Sequence, residues 1–133
     1  MIPRFRAWDS VEKKFVEYFF ITDNSLVCNM EKPTSDRKLP IPIEKSELIL
    51  MQSTGLIDEL GKELFEGDII LWTYWDEFED SGSAKIVFDK GMFKLLDIRT
   101  GKEVWDNLSD CIENCNVYIE GNIYENRDLL EDK

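Results

Sequence analysis

Short apolar runs separated by turn residues dominate the chain, and their period is two rather than 3.6. Phe5 and Ala7 alternate with Arg4, Arg6 and Trp8, Asp9-Ser10 marks a turn, and an apolar run from Phe15 to Ile21 follows. Further strands are predicted over residues 25–29, 48–52, 69–75, 84–89, 92–98 and 116–120. Lys90-Gly91 and Thr100-Gly101 supply the glycines that hairpin turns with positive φ require. From Glu31 to Pro42, three prolines (Pro33, Pro40, Pro42) accompany Thr34, Ser35, Asp36, Arg37 and Lys38, which reads as an exposed loop rather than a strand. Two stretches suit a helix. Leu108–Asn114 has Asn107 or Ser109 as a cap, and the tail Asn126–Glu131 has Asn126 at the N-cap with Asp128 in the first turn, where the helix dipole favours a carboxylate. The predicted class is mainly β.

Gly55, Gly61 and Gly67 each fall where reversals between apolar runs are expected, and Glu66-Gly67-Asp68 directly precedes the most hydrophobic strand. An aspartate after a turn glycine accepts backbone N–H groups that would otherwise be unpaired. This architectural reading is favoured over a carboxylate site built from Glu63, Glu66 and Asp68, and Leu64 and Phe65 are expected to fill the core beneath the turn.

Composition narrows the chemistry. With 133 residues, 43% of them hydrophobic and 12% aromatic, the chain is long enough and apolar enough to fold as one unit despite its charge. Its 16 Lys and Arg against 28 Asp and Glu give a net charge of −12. The excess is uneven: residues 1–60 carry 8 basic and 10 acidic side chains, residues 61–133 carry 8 and 18. A chain so acidic is poorly suited to tracking phosphates. With no histidine, Ser-His and Cys-His nucleophile pairs, HExxH zinc sites and imidazole general bases are excluded. The apolar runs are too short to span a bilayer and the N-terminus has no secretory apolar region, so a cytoplasmic location is expected. Cys28, Cys111 and Cys115, an odd set without CxxC spacing, suit buried reduced thiols.

Three segments together carry a resemblance: Phe5-Arg6-Ala7-Trp8-Asp9 with Lys13-Lys14-Phe15; Met51–Asp58 followed by Gly61-Lys62-Glu63-Leu64-Phe65-Glu66-Gly67-Asp68-Ile69-Ile70; and Ile119-Glu120-Gly121-Asn122-Ile123-Tyr124-Glu125-Asn126 with Leu129-Leu130. In this order they resemble the YopX family of phage and prophage proteins. Ser53, Ile57 and Arg127 depart from the family pattern. The resemblance implies a phage or prophage origin and a family without an established activity, and it supplies no catalytic residues. It also implies one YopX-like unit over 1–133, with a β subregion at 1–50 and an acidic, SH3-like antiparallel barrel over 51–133. The residues that would define this fold are Trp8, Asp9, Gly55, Gly61, Glu66, Gly67, Asp68, Gly121, Asn122 and Tyr124.

Other candidate sites each have an ordinary structural explanation. Asp76, Glu77, Glu79 and Asp80 lack the alternating spacing of a calcium loop and read as a solvated connection. Trp72 and Tyr74 share one strand face and suit a protein contact better than base stacking beside so many carboxylates. Arg4, Arg6, Lys13, Lys14, Arg37, Lys38 and Lys45 form a candidate basic face. Cys111 and Cys115, at i and i+4, are too few for zinc. The expectation is a non-enzymatic protein-interaction module without cofactor or metal, binding a protein partner or its own copies. Its candidate surface comprises Arg4, Arg6, Trp72, Tyr74, Asp76, Glu77, Glu79 and Asp80. The alternative is a nucleic-acid-associated accessory protein, acting by direct binding or by mimicking DNA charge.

Overall fold

The alternating opening of the sequence forms strand β1 (Phe5–Asp9), which pairs antiparallel with β2 (Lys14–Val16), setting Ala7 opposite Val16 and Trp8 opposite Phe15. The computed structural model describes residues 4–22, 26–31, 41–42, 46–74 and 81–126. The chain divides into two compact units, Met1–Met51 and Gln52–Lys133.

In unit 1 the Phe15–Ile21 run is not one strand. It breaks at residues 17–18, and β3 (Phe19–Ile21) joins a different sheet, in the order β3-β4-β5, with β4 (Leu26–Asn29) and β5 (Ile41–Pro42). The break has a definite cause: the Glu31 carboxylate accepts the N–H groups of both Glu17 and Tyr18, diverting them from a ladder. β5 corrects the expected loop at its C-terminal end, since Ile41 and Pro42 pair with Val27 and Leu26. Pro42 is tolerated because β5 is an edge strand and the missing N–H costs no inner ladder bond. The rest of the proline-rich stretch, including Arg37 and Lys38, lies outside the described residues, as does Lys45. β6 (Leu48–Ile57) begins in this unit beside β1. The buried core here is Ala7, Val16, Val27 and Leu48, with Phe19 and Leu50 packed against it.

β6 then continues through Gly55, which was expected to reverse the chain. Gly55 takes φ 79°, and the pairing of β6 with β7 (Glu63–Phe65) shifts register between Ser53 and Ile57, so this glycine makes a bulge in a strand. Gly61 and Gly67 do lie in turns, at φ 84° and 92°. The main sheet of unit 2 follows from β8 (Asp68–Tyr74), β9 (Ser81–Asp89), β10 (Met92–Asp97), β11 (Glu103–Val104) and β12 (Cys115–Asn122), in the order β11-β10-β9-β8-β12. It is a curled half-barrel. Lys90 and Gly91, both with positive φ, close the β9–β10 hairpin in the mirror-image turn that matches strand twist.

Helix α1 (Leu108–Asn114) starts where the Asn107 side chain accepts the Asp110 N–H at 2.8 Å, and Leu108 and Cys111 bury its inner face. The core around it joins Leu64, Ile70, Ala84, Ile86, Leu95, Leu108, Cys111, Cys115 and Val117. Trp75 and the predicted tail helix after Asn126 lie outside the described residues, and so do Asp76, Glu77, Glu79 and Asp80. No helix among the described residues is long and apolar enough to cross a membrane.

Candidate functional site

The polar side chains of the sequence motifs turn inward to the backbone. Asp9, 1% exposed, accepts the N–H groups of Val11 and Glu12 at 2.9 Å each and shapes the β1–β2 turn. Asp68, 2% exposed, accepts the Phe65 N–H at 2.8 Å across the Glu66-Gly67 turn. Gly67 donates to Ile86 and accepts from Ile123, both at 2.9 Å, so its backbone bridges two segments. Asn122 accepts from Tyr124 and Glu125, and a Cβ on Gly121 would collide with the Asn126 side chain. Glu66 accepts the Gln52 N–H at 3.3 Å, and the Ser53 hydroxyl donates to Glu63. Three carboxylates named as a possible site are thus each engaged in holding a turn or a strand pair.

Asp58 does more than the motif reading assigned to it. At 4% exposure its two oxygens accept Leu60 and Lys62 at 2.9 and 2.8 Å and Ile119 at 3.2 Å, tying the β6–β7 turn to β12. The local signal, an aspartate three residues before a turn glycine, is in the sequence; the link to Ile119, 61 residues away, is not.

Cys111 and Cys115 are buried free thiols in hydrogen-bond contact. Burial, then the neighbouring Cys115, pushes the Cys111 thiol far above its ordinary range, and burial raises Cys115 against the opposing Cys111 contact. Both are therefore poor nucleophiles. Cys28 is also buried and free. Among the described residues, no three cysteines and carboxylates converge as a metal-ligand group. A cavity of about 420 Å³ is lined by Leu71, Gly82, Ser83 and Asp97 with Ser81, Arg99 and Thr100, and two of its polar side chains are engaged: Asp97 accepts from the Arg99 and Thr100 N–H groups, and Ser83 donates to Glu120.

The remaining candidate is aromatic. Alternation along β8 places Trp72 and Tyr74 on one face, and Trp105, just beyond β11, completes a triangle with them. Ring centroids lie 5.9 Å apart for Trp72–Tyr74, 5.5 Å for Trp72–Trp105 and 5.7 Å for Tyr74–Trp105, with Trp72 nearly perpendicular to both partners. All three separations are favourable for aromatic pairs, the two made by Trp72 edge-to-face and Tyr74–Trp105 tilted at 58°, each worth about 0.5–1.5 kcal/mol. Gly82 makes room for the Trp72 ring, since a Cβ there would come within 2.9 Å of it. Tyr74 is 36% exposed and Trp105 half-buried, so the triangle reaches solvent on one side.

Trp105 sits at φ 62°, a left-handed conformation costing a bulky side chain about 1–3 kcal/mol. Three other non-glycine residues share that region, Lys13, Glu47 and Lys90, all exposed and polar. Sequence reading missed Trp105 because nothing periodic precedes it; only the topology brings it to β8.

Unit 1 arranges its aromatics differently. Trp8 and Phe15 meet edge-on at 5.0 Å, and the Arg6 guanidinium lies 5.0 Å from the Phe15 ring centroid. Lys14 pairs with Glu31 at 3.8 Å, while Arg4 and Lys13 are exposed. Charge divides along the same boundary: residues 1–51 carry 8 basic and 8 acidic side chains and residues 52–133 carry 8 and 20, so the whole net charge of −12 belongs to unit 2. No Lys or Arg occurs in residues 63–84 or 103–126, the two stretches that hold the aromatic triangle and that β8–β12 pairing brings together.

A family profile described as "YopX protein" matches residues 4–131. Two solved structures are similar. Protein EF1440 from Enterococcus faecalis is 26% identical, with 98% of this chain and 99% of that one covered at a TM-score of 0.65. Protein yopX from Bacillus subtilis is 18% identical, with 97% and 96% covered at a TM-score of 0.61, a likeness of fold. No curated protein matches the chain.

Proposed function

The chain belongs to the YopX family, and from that premise we propose that it is a non-enzymatic interaction module of phage or prophage origin whose acidic unit 2 engages a basic segment of a partner protein. The observation that carries the reading is the charge partition: unit 1 is neutral and unit 2 holds the entire −12. A field of one sign concentrated on one unit accelerates encounter with a complementary partner and disfavours others.

The absence of histidine and the commitment of Asp9, Asp58 and Asp68 to backbone N–H groups support a non-catalytic role. In this reading the curled sheet is a small SH3-like barrel, and the protein works in the bacterial cytoplasm. Electrostatics also favours a protein over nucleic acid, because a phosphate backbone would meet unit 2 as a like charge.

The test is fluorescence anisotropy of the full chain against a labelled lysine- and arginine-rich peptide, an acidic peptide, and single- and double-stranded DNA at several salt concentrations. Binding of the basic peptide that weakens with salt, without DNA binding, is the expected result. Salt-dependent DNA binding, or equal binding of both peptides, would overturn the reading.

A further inference from the structure

Charge alone gives a diffuse attraction, and the aromatic triangle offers a place where it becomes a site. Three observations converge on it. The rings of Trp72, Tyr74 and Trp105 pack against one another yet leave Tyr74 36% exposed and Trp105 half-buried. Trp105 is held at φ 62°, a conformation that a turn would normally give to Gly or Asn. Glu103, before Trp105, is paired with Lys94 at 3.3 Å, but Asp106, Asp110 and Glu113 follow Trp105 with no Lys or Arg anywhere in residues 103–126.

Unit 1 shows the arrangement that is incomplete here. There the ring of Phe15, edge-on to Trp8, has the Arg6 guanidinium 5.0 Å from its centroid, so the cation that an aromatic face attracts comes from the same strand pair. The strands and turn that carry the triangle's rings contain no Lys or Arg, and the neighbouring Lys94 is paired with Glu103 at 3.3 Å and Asp89 at 3.8 Å. Asp106 follows Trp105 and is exposed, and Asp110 and Glu113 lie on the helix beyond it.

We infer that Trp72, Tyr74 and Trp105 form the docking point for an arginine or lysine side chain of the partner's basic segment, the cation resting on the exposed ring faces while nearby carboxylates hold the flanking charges. This rests on the reading of unit 2 as the face for a basic partner, and it names where that face is specific. Tryptophan and tyrosine suit the role: they are rigid, they are the residues most often found to dominate binding energies, and an indole face is the strongest cation–π partner. Packing against Trp72 and Tyr74 holds the Trp105 ring, and with it the strained backbone, before the ligand arrives, which reduces the ordering that binding requires.

The test uses the full chain and a ten-residue arginine-glycine peptide, with the same peptide carrying citrulline, a neutral arginine isostere, as control. Calorimetry with the wild type should show binding of the arginine peptide and little of the citrulline peptide. Tyr74→Leu should weaken the arginine peptide about five-fold. In the wild-type chain, the indole N–H resonances of Trp72 and Trp105 should shift with the arginine peptide while that of Trp8 stays in place. Those shifts decide the matter even if Tyr74→Leu folds poorly. If the wild type binds the arginine peptide while both indole signals stay fixed and Tyr74→Leu binds equally well, the docking point is overturned and the charge reading survives. If the wild type binds neither peptide, both fail.

Discussion

The two units solve the same small problem, an aromatic cluster carried by a sheet, in opposite ways. In unit 1 the Trp8–Phe15 pair is closed by Arg6 from the neighbouring position of its own strand pair, and basic and acidic side chains balance. In unit 2 the Trp72–Tyr74–Trp105 triangle stands on two cation-free stretches of a unit that holds all the excess negative charge. The difference teaches that the net charge is not a background property of the whole protein. It has an address, and that address coincides with the one aromatic cluster built on a strained tryptophan among the described residues.

The cores differ as well, and the largest predicted effects follow from them. Ile70, fully buried within a nine-residue cluster and flanked by β9 and β12, should cost about 4 kcal/mol on Ile70→Ala, whereas Leu48→Ala in the four-residue cluster of unit 1 should cost about 2 kcal/mol. Chemical denaturation measures both, and equal losses would remove the distinction between the cores.

Next in size are the buried aspartates. Asp58→Ala strips acceptors from three N–H groups and should cost about 3 kcal/mol, and Asp9→Ala, which removes the acceptor of the Val11 and Glu12 N–H groups, about 2 kcal/mol or more. A smaller loss for Asp58→Ala in thermal melts would show that the Ile119 link contributes little.

The left-handed residues give opposite signs in the two units. Glu47 in unit 1 is exposed at φ 65°, and only its carbonyl is used, by the Ser10 N–H and hydroxyl. Glu47→Gly removes strain without removing a contact, so it should gain about 0.5 kcal/mol after the glycine's greater freedom in the unfolded chain is subtracted. Trp105→Gly relieves the same strain yet loses two ring contacts, and it should cost about 2 kcal/mol. A stabilised Trp105→Gly variant would mean that the triangle does not hold the backbone there.

The smallest effect is a pH slope confined to unit 2. Cys111 has its thiol pKa raised by burial above the ordinary 9.0, so the folded state holds this proton more tightly than the unfolded state. The corresponding stability is complete below pH 9 and is lost as pH rises beyond it. Cys111→Ala should flatten the decline in melting temperature between pH 9 and 10.5, and an unchanged slope would assign that decline to other groups.

How much of this was legible in the sequence depended on how local the cause was. Helix α1 was readable because Asn107 supplies its own cap three residues before the Asp110 N–H, and the β9–β10 hairpin because Lys90-Gly91 is sufficient for its turn. The break at residues 17–18 was not readable, since it is made by Glu31, 13 residues from Tyr18. Nor was the bulge at Gly55, where a glycine that permits a reversal equally permits a register shift. Of the aromatic site, Trp72 and Tyr74 followed from strand alternation, but Trp105 enters through a tertiary ring contact, since β11 is separated from β8 in the sheet by β10 and β9. The charge partition, by contrast, was fully legible: the expected subregion boundary between residues 50 and 51 divides the charges as the boundary between 51 and 52 does, because Met51 is uncharged.

The most direct test of the central claim is an amide chemical-shift map of the full chain titrated with the arginine-glycine peptide. The account predicts shifts concentrated in residues 69–74 and 103–114 of unit 2, with those of β1 and β2 unmoved. Shifts centred on unit 1, or spread evenly over both units, would contradict it.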